Sequence, residues 1–173
     1  MRRAIIFKSS WGWMGISETS KGVDIVALPK GSKRAIESDL RSVSGEPFEV
    51  GTSVRLEEAR RQLLGYLEGK RDTFTVPLDL SRGTPFQRRV WRVLQKVPYG
   101  KLRSYQWIAS RVGGRHYARA VGSAVGANPL PVVIPCHRIV AQDASLGGFS
   151  CGLPMKRKLL TLEGTLRYVT VRR

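Results

Sequence analysis

The chain has 173 residues and a mass of 19.3 kDa, room for one domain or two small ones. Its 42% hydrophobic content supports a packed core and excludes a disordered chain. Thirty Lys and Arg against 13 Asp and Glu leave a net charge of +17, which excludes an ordinary acidic enzyme and points to a polyanion partner, nucleic acid before a membrane surface.

No run approaches the roughly 18 consecutive apolar residues of a membrane helix, and the start, MRRAIIFKSSWGW, lacks a signal-peptide core. The expectation is a protein without a membrane partner, cytoplasmic and, in a prokaryote, nucleoid-associated. The charge is uneven. Residues 1–80 hold 13 basic and 11 acidic side chains, a net of +2; residues 81–173 hold 17 basic ones against Asp143 and Glu163 alone, a net of +15. An Arg-rich thermophile surface would keep acidic partners for its cations, and the second half has almost none. The split suggests a nearly neutral unit at 1–80 and a basic, nucleic-acid-binding unit at 81–173.

In chain order, residues 4–7, 11–16 and 23–28 read as short strands, with turns at 9–10 and 29–31. Ser53 caps a helix over 54–68 whose apolar positions Leu56, Ala59, Leu63, Tyr66 and Leu67 follow helical spacing, and Gly69 stops it. Residues 74–80 read as extended because Pro77 opposes helix, and 79–83 as the linker between units. Thr84, Pro85 and Gln87 set a cap, a first-turn proline and a capping-box glutamine in register, followed by the stripe Phe86, Val90, Val93, Leu94, Val97. Ser104 caps a second short helix through Arg111, Gly113 and Gly114 turn the chain, and a third helix spans about 116–127. Two helices joined by a glycine turn inside the basic half make a helix-turn-helix candidate.

That third helix carries Ala118, Ala120, Gly122, Ser123, Ala124, Gly126 and Ala127, almost without bulk. Glycine in a helix costs about 1 kcal/mol relative to alanine. Two of them imply either tight packing on a neighbouring helix or close approach to a nucleic-acid backbone. Arg119, its central cation, is either solvated or a side chain that enters the base stack.

Beyond the turn at Asn128-Pro129-Leu130-Pro131, the β-branched run 132–134 reads as a buried strand that leads into Pro135-Cys136-His137-Arg138. Cys136 beside a histidine, in a cationic segment, is a thiolate candidate, because nearby cations lower a thiol pKa and the thiolate is the nucleophile. A buried, inert cysteine is the competing reading. Glu163 lies three and four residues after Leu160 and Leu159, on the inward face of a final helix that Pro154 starts and Gly164 ends. A buried carboxylate there needs a partner, and His137 is the natural one, which completes a nucleophile, base and orienting acid. Cys136, Cys151, His116 and His137 lack the paired spacing of a zinc site, so no metal is expected.

With these residues placed, a resemblance is plain. GTPFQRRVW (83–91), VPYGKLRSY (97–105), RAVGSAVGANP (119–129), IPCHRIV (134–140), GGFSCGLPMKRKLL (147–160) and LEG (162–164) resemble, in order and spacing, the O6-alkylguanine-DNA alkyltransferases. The resemblance implies an α/β (α+β) fold: a small RNase-H-like N-terminal domain followed by a C-terminal winged helix-turn-helix domain. It implies direct repair of double-stranded DNA through the minor groove, independent of sequence, by a monomer that acts cooperatively on DNA and uses no cofactor. O6-alkylguanine, and less readily O4-alkylthymine, would be flipped out and its alkyl group moved irreversibly to Cys136.

In that frame His137 acts as base through a water, Glu163 orients it, and Asn128 holds the turn before the cysteine. Arg119 fills the gap left by the flipped base. Tyr105 turns its phosphate and donates to the base. Ser104, Ala118 and Ser123 line the DNA face. Ile139, Phe149 and Ser150 surround the guanine, with the Cys136 and Ile139 carbonyls reading it. Phe149 stands where the family often has tyrosine, and Cys151 where it has a smaller residue, which narrows access for bulky alkyl groups. The first half holds no Cys or His, so the structural zinc of some relatives is not expected. A lesion sensor of this type lacks the reactive cysteine, which Cys136 supplies. A cysteine hydrolase would have no use for the basic half.

Overall fold

A computed structural model describes residues 1–170. The chain forms two compact units: Met1–Arg82 together with Pro129–Pro131, and Gly83–Asn128 together with the chain from Val132 onward. Both mix helices and strands.

The first unit is built on a four-stranded sheet of order β3-β2-β1-β4. β1 (Arg2–Ser9), β2 (Gly12–Glu18) and β3 (Val23–Lys30) form an antiparallel meander, and β4 (Phe48–Val50) joins β1 in parallel. β3 runs through Pro29 to Lys30, where the sequence suggests a turn. It is an edge strand, so the missing proline N–H breaks no ladder on its open side. Helix α1 (Lys33–Ser44) and β4 fall in a stretch that hydrophobic spacing leaves unassigned. α1 has only Ile36 and Leu40 as buried apolar anchors, yet Ser32 caps it and Gly45 ends it at φ +65°. It presses on β2 at Gly15, where a Cβ would lie 2.6 Å from Ile36 Cγ2.

Helix α2 (Val54–Leu67) starts at its Ser53 cap, whose hydroxyl accepts from the Leu56 N–H. The segment 74–80 is extended, with one bridge between Leu78 and Val23. Asp79, read from sequence as linker, is buried, its carboxylate accepting from the Thr19 hydroxyl and the Ser81 N–H.

The second unit opens with α3 (Pro85–Leu94), where Thr84 and Gln87 close a reciprocal capping box. α4 (Tyr105–Val112) follows its Ser104 cap. The Gly113 and Gly114 turn and a 3-10 turn (Arg115–Tyr117) deliver α5 (Ala118–Gly126), two residues later than the periodicity implies. α3, α4 and α5 pack on one another, and the buried Trp91 indole of α3 donates to the Ala124 carbonyl of α5 at 2.8 Å.

The expected strand at 132–134 is absent. Those residues form a turn with Val132 at φ +74°, a conformation that β-branched side chains rarely adopt. Burial of Val132 and Ile134 overrides strand propensity. After a 3-10 turn (Cys136–Arg138), β6 (Ile139–Val140) pairs in parallel with β5 (Arg103–Ser104). α6 (Leu153–Leu162) closes the unit over a core of Val140, Leu146, Leu160 and Val169. No helix among the described residues is long and apolar enough to cross a membrane.

Candidate active site

Cys136 opens the 3-10 turn and is 3% exposed. It sits in a turn rather than at a strand end. Pro135 precedes it at ψ 64°, and the Cys136 N–H folds back onto the Ile134 carbonyl at 2.8 Å. The Asn128 carboxamide donates to that same Ile134 carbonyl at 2.9 Å and also hydrogen-bonds the Cys136 side chain. Asn128 thus ties the turn after α5 to the turn that carries the thiol.

His137 and Arg138 point the other way, inward. His137 is fully buried and its Nε2 meets Glu163 Oε1 at 2.8 Å. Arg138 reaches both Glu163 oxygens through Nε, at 2.9 and 3.1 Å, and Oε1 again through a terminal nitrogen at 2.7 Å. Its other terminal nitrogen donates to the Val97 carbonyl at 2.7 Å. Glu163 caps the C-terminal end of α6, where the helix dipole opposes a carboxylate. The two partners overcome both that and burial, and hold its pKa at about 2. Burial pushes His137 below its ordinary value against the opposing pull of Glu163, so it is a neutral base at neutral pH.

Lys156 is the second charge that motif reading passes over. It is fully buried on α6, and its ammonium donates to the carbonyls of Ile139, Leu146 and Gly148 at 2.6, 2.5 and 3.2 Å. It staples the loop after β6, which carries Phe149 and Ser150, to the helix. Burial lowers its pKa to about 8. A signal for it exists in the sequence: Lys156, Leu159, Leu160 and Glu163 share one face of α6. Arg138 was detectable by charge, since a buried Glu163 with a neutral histidine still needs a cation.

The cationic neighbourhood does not make Cys136 a resting thiolate. Its pKa is pushed up to about 11, because burial outweighs the hydrogen bond from Asn128 and the more distant Lys156 ammonium. Most of the positive charge in this half is exposed and screened by water, so it contributes little at a buried sulfur.

The remaining sequence-derived residues fall into two places. Tyr105, the first residue of α4, is half-buried and reaches the Gly148 carbonyl at 3.5 Å. Burial and the Cys136 side chain both raise its pKa, so it remains a proton donor. Ile139 is buried and its carbonyl already accepts from Lys156, while the Cys136 carbonyl accepts from the Ile139 N–H. Phe149 is half-buried and Ser150 and Cys151 are exposed. The Ser150 hydroxyl and Cys151 sulfur are 4.0 Å apart.

Arg119 and Ser123 lie exposed on α5 and Ala118 is half-buried at its start, while the Ser104 hydroxyl accepts from the Trp107 N–H as a helix cap. A Cβ added at Gly122 or Gly126 would meet nothing within 4 Å. Packing inside the chain therefore does not explain these glycines, and the bare face of α5 is open. Among the described residues no cluster of His, Cys, Asp and Glu could hold a metal.

Comparison with known proteins identifies the family. Residues 85–165 match the family described as 6-O-methylguanine DNA methyltransferase, DNA binding domain. A methylated-DNA–protein-cysteine methyltransferase of Methanosarcina acetivorans is 38% identical over 160 residues, which span 92% of this chain and 97% of that one. The chain belongs to the methylated-DNA–protein-cysteine methyltransferases. The O6-methylguanine methyltransferase of Mycobacterium tuberculosis matches with a TM-score of 0.76 at 32% identity, covering 99% of this chain and 97% of that one. A Mycobacterium tuberculosis relative solved in complex with DNA matches with a TM-score of 0.79 at 31% identity, over 98% and 96% of the two chains. Members of this methyltransferase family thus share the α+β architecture seen here.

Two outcomes follow. E163Q leaves the Arg138 guanidinium buried without its counter-charge and should destabilise the protein by about 3 kcal/mol. A carboxylate whose pKa falls from its ordinary 4.5 to about 2 on folding adds stability that is complete above 4.5 and is lost as pH falls toward 2. Thermal melts from neutral to acid pH should therefore show the gap between wild type and E163Q closing in that window. G122A should stabilise the free protein by about 0.5–1 kcal/mol, since the new methyl enters open space in a helix, while weakening its affinity for duplex DNA. Melts and a binding isotherm on the same sample check both signs.

Proposed function

We propose that this protein repairs O6-alkylguanine in duplex DNA by moving the alkyl group to Cys136, once per molecule. The observation that carries the reading is the joined set of Asn128, Cys136, His137 and Glu163, with Tyr105 beside the same turn and an open, side-chain-poor face on α5. O4-alkylthymine is the weaker substrate. The relative solved with DNA supports a DNA-bound state for this chain.

In the proposed reaction the thiol gives up its proton as it attacks. His137, whose Nε2 is committed to Glu163, takes that proton through a water at its other ring nitrogen. The sulfur attacks the alkyl carbon, the carbon–O6 bond breaks, and its electron pair stays on the purine. Tyr105 donates a proton to the base and recovers one from solvent. Thiol, alkyl group and base close the balance without a cofactor. The thioether has no easy hydrolysis route, so the protein is spent. A protonated resting thiol suits this scheme, because the sulfur gives up its proton to His137 only as it attacks the alkyl carbon.

The alkyl carbon is out of reach inside a duplex, so the nucleotide must leave the stack. A poorly pairing lesion lowers that cost. The bare face of α5 fits close approach in the minor groove independent of sequence, and Arg119 occupies the gap left behind. The protein acts as a monomer that assembles cooperatively on DNA, in the cytoplasm or on the nucleoid. Cys151, exposed near the sulfur, restricts bulky groups such as benzyl.

Incubation with DNA containing O6-methylguanine should give a single methyl adduct on Cys136 by intact mass and peptide mapping. An unmodified Cys136 under saturating DNA would exclude the reaction. R119A should slow repair in duplex DNA by about 10-fold or more while changing transfer from the free modified base by less than about 2-fold, because the arginine acts on the stack and not on the sulfur. Equal losses on both substrates would remove that role.

A further inference from the structure

Helix α3 carries a cationic stripe that the proposed repair reaction does not use. Arg89, Arg92 and Lys96 are exposed, on and just past the helix, at spacings of three and four residues, so they share one side of it. The opposite side, Val90, Trp91 and Leu94, is buried. Among the described residues no carboxylate pairs with the side chain of any of the three, and the Arg89 guanidinium lies over the Phe86 ring at 5.7 Å. At 1.5 Å per residue the stripe runs about 10 Å, long enough to face several phosphates of a duplex.

The stripe also faces away from α5. Trp91, on the buried side of α3, donates to the Ala124 carbonyl of α5, and Val121, Ala124 and Val125 are the buried residues of that helix. Arg119, Ser123 and the open glycines lie on the far side. The exposed faces of α3 and α5 are therefore separate surfaces, each on the side of its helix turned away from their contact.

We propose that the α3 stripe is a second phosphodiester-binding surface, which takes a second DNA duplex while α5 engages the first. The reading rests on α5 as the lesion-engaging helix. Contacts of this kind are non-specific and weak at physiological salt, which suits transfer between neighbouring segments during a search for rare lesions.

The test uses the full chain with two short duplexes, one with O6-methylguanine and a donor dye, the other undamaged with an acceptor dye. Wild type should give energy transfer between them that falls as salt rises. R89Q/R92Q/K96Q should weaken capture of the second duplex by about tenfold or more and lower its salt slope by roughly 2.7, at about 0.9 per lost phosphate contact. Methyl transfer to Cys136 and affinity for the first duplex should stay within about twofold of wild type. Absence of energy transfer in wild type overturns the proposal, as does the same transfer in the triple variant. An equal loss of affinity for the lesion duplex also overturns it, by placing the stripe on the same duplex as α5. Failure of wild type to accept a methyl group is a separate result, against the repair reaction itself.

Discussion

Glu163 is a carboxylate buried in a half-chain that carries +15 of the net charge. Its two oxygens gather His137, Arg138 and the Gly100 N–H, and Arg138 continues to the Val97 carbonyl. One side chain at the end of α6 thereby joins the turn after α3 and the turn that carries the thiol. Taking two charges out of water is costly, and apolar residues of similar volume would often be at least as stable. What the ion pair adds is position: it fixes the His137 ring one residue from Cys136 in an orientation that an apolar core could not specify.

Burial also decides how the sulfur behaves. A thiol with a pKa of about 11 is protonated at neutral pH and unreactive toward ordinary electrophiles. The positive charge of this half divides into two pools. Arg138 and Lys156 are buried and act on the architecture of the site, one through Glu163 and one through three loop carbonyls. The exposed arginines and lysines face solvent, where they draw in phosphates over distances set by salt. The overall charge therefore bears on finding DNA and not on activating the cysteine.

The helix with the open face, α5, trades stability for shape. Each glycine of α5 weakens the helix, and nothing in the chain occupies the space they leave. The helix persists because Val121, Ala124 and Val125 are buried against its neighbours and Trp91 anchors it from α3. A rigid back and an empty front let a backbone come close without displacing side chains.

Local rules made much of this legible in the sequence. Caps and glycine stops placed α2, α4, α6 and the start of α3 to within a residue or two, because Ser53, Thr84, Ser104 and Gly164 act on neighbours a few positions away, while α3 ends at Leu94, three residues short of the stripe's last position, Val97. The scarcity of acids after residue 80 singled out Glu163, and helical spacing turned it inward. Other features depended on partners distant in the chain. α1 has too few apolar residues to announce itself and exists because β2 presents Gly15 beneath it. Residues 132–134 have every local reason to form a strand, yet burial bends them into a turn with Val132 at positive φ. Likewise, the sequence singled out Asn128, Cys136, His137 and Glu163 as a candidate set, while only the tertiary structure decided that Cys136 rests protonated, that Arg138 and Lys156 are buried, and that the glycines of α5 are open. Desolvation and packing depend on what surrounds a side chain in space, and the chain order does not state that.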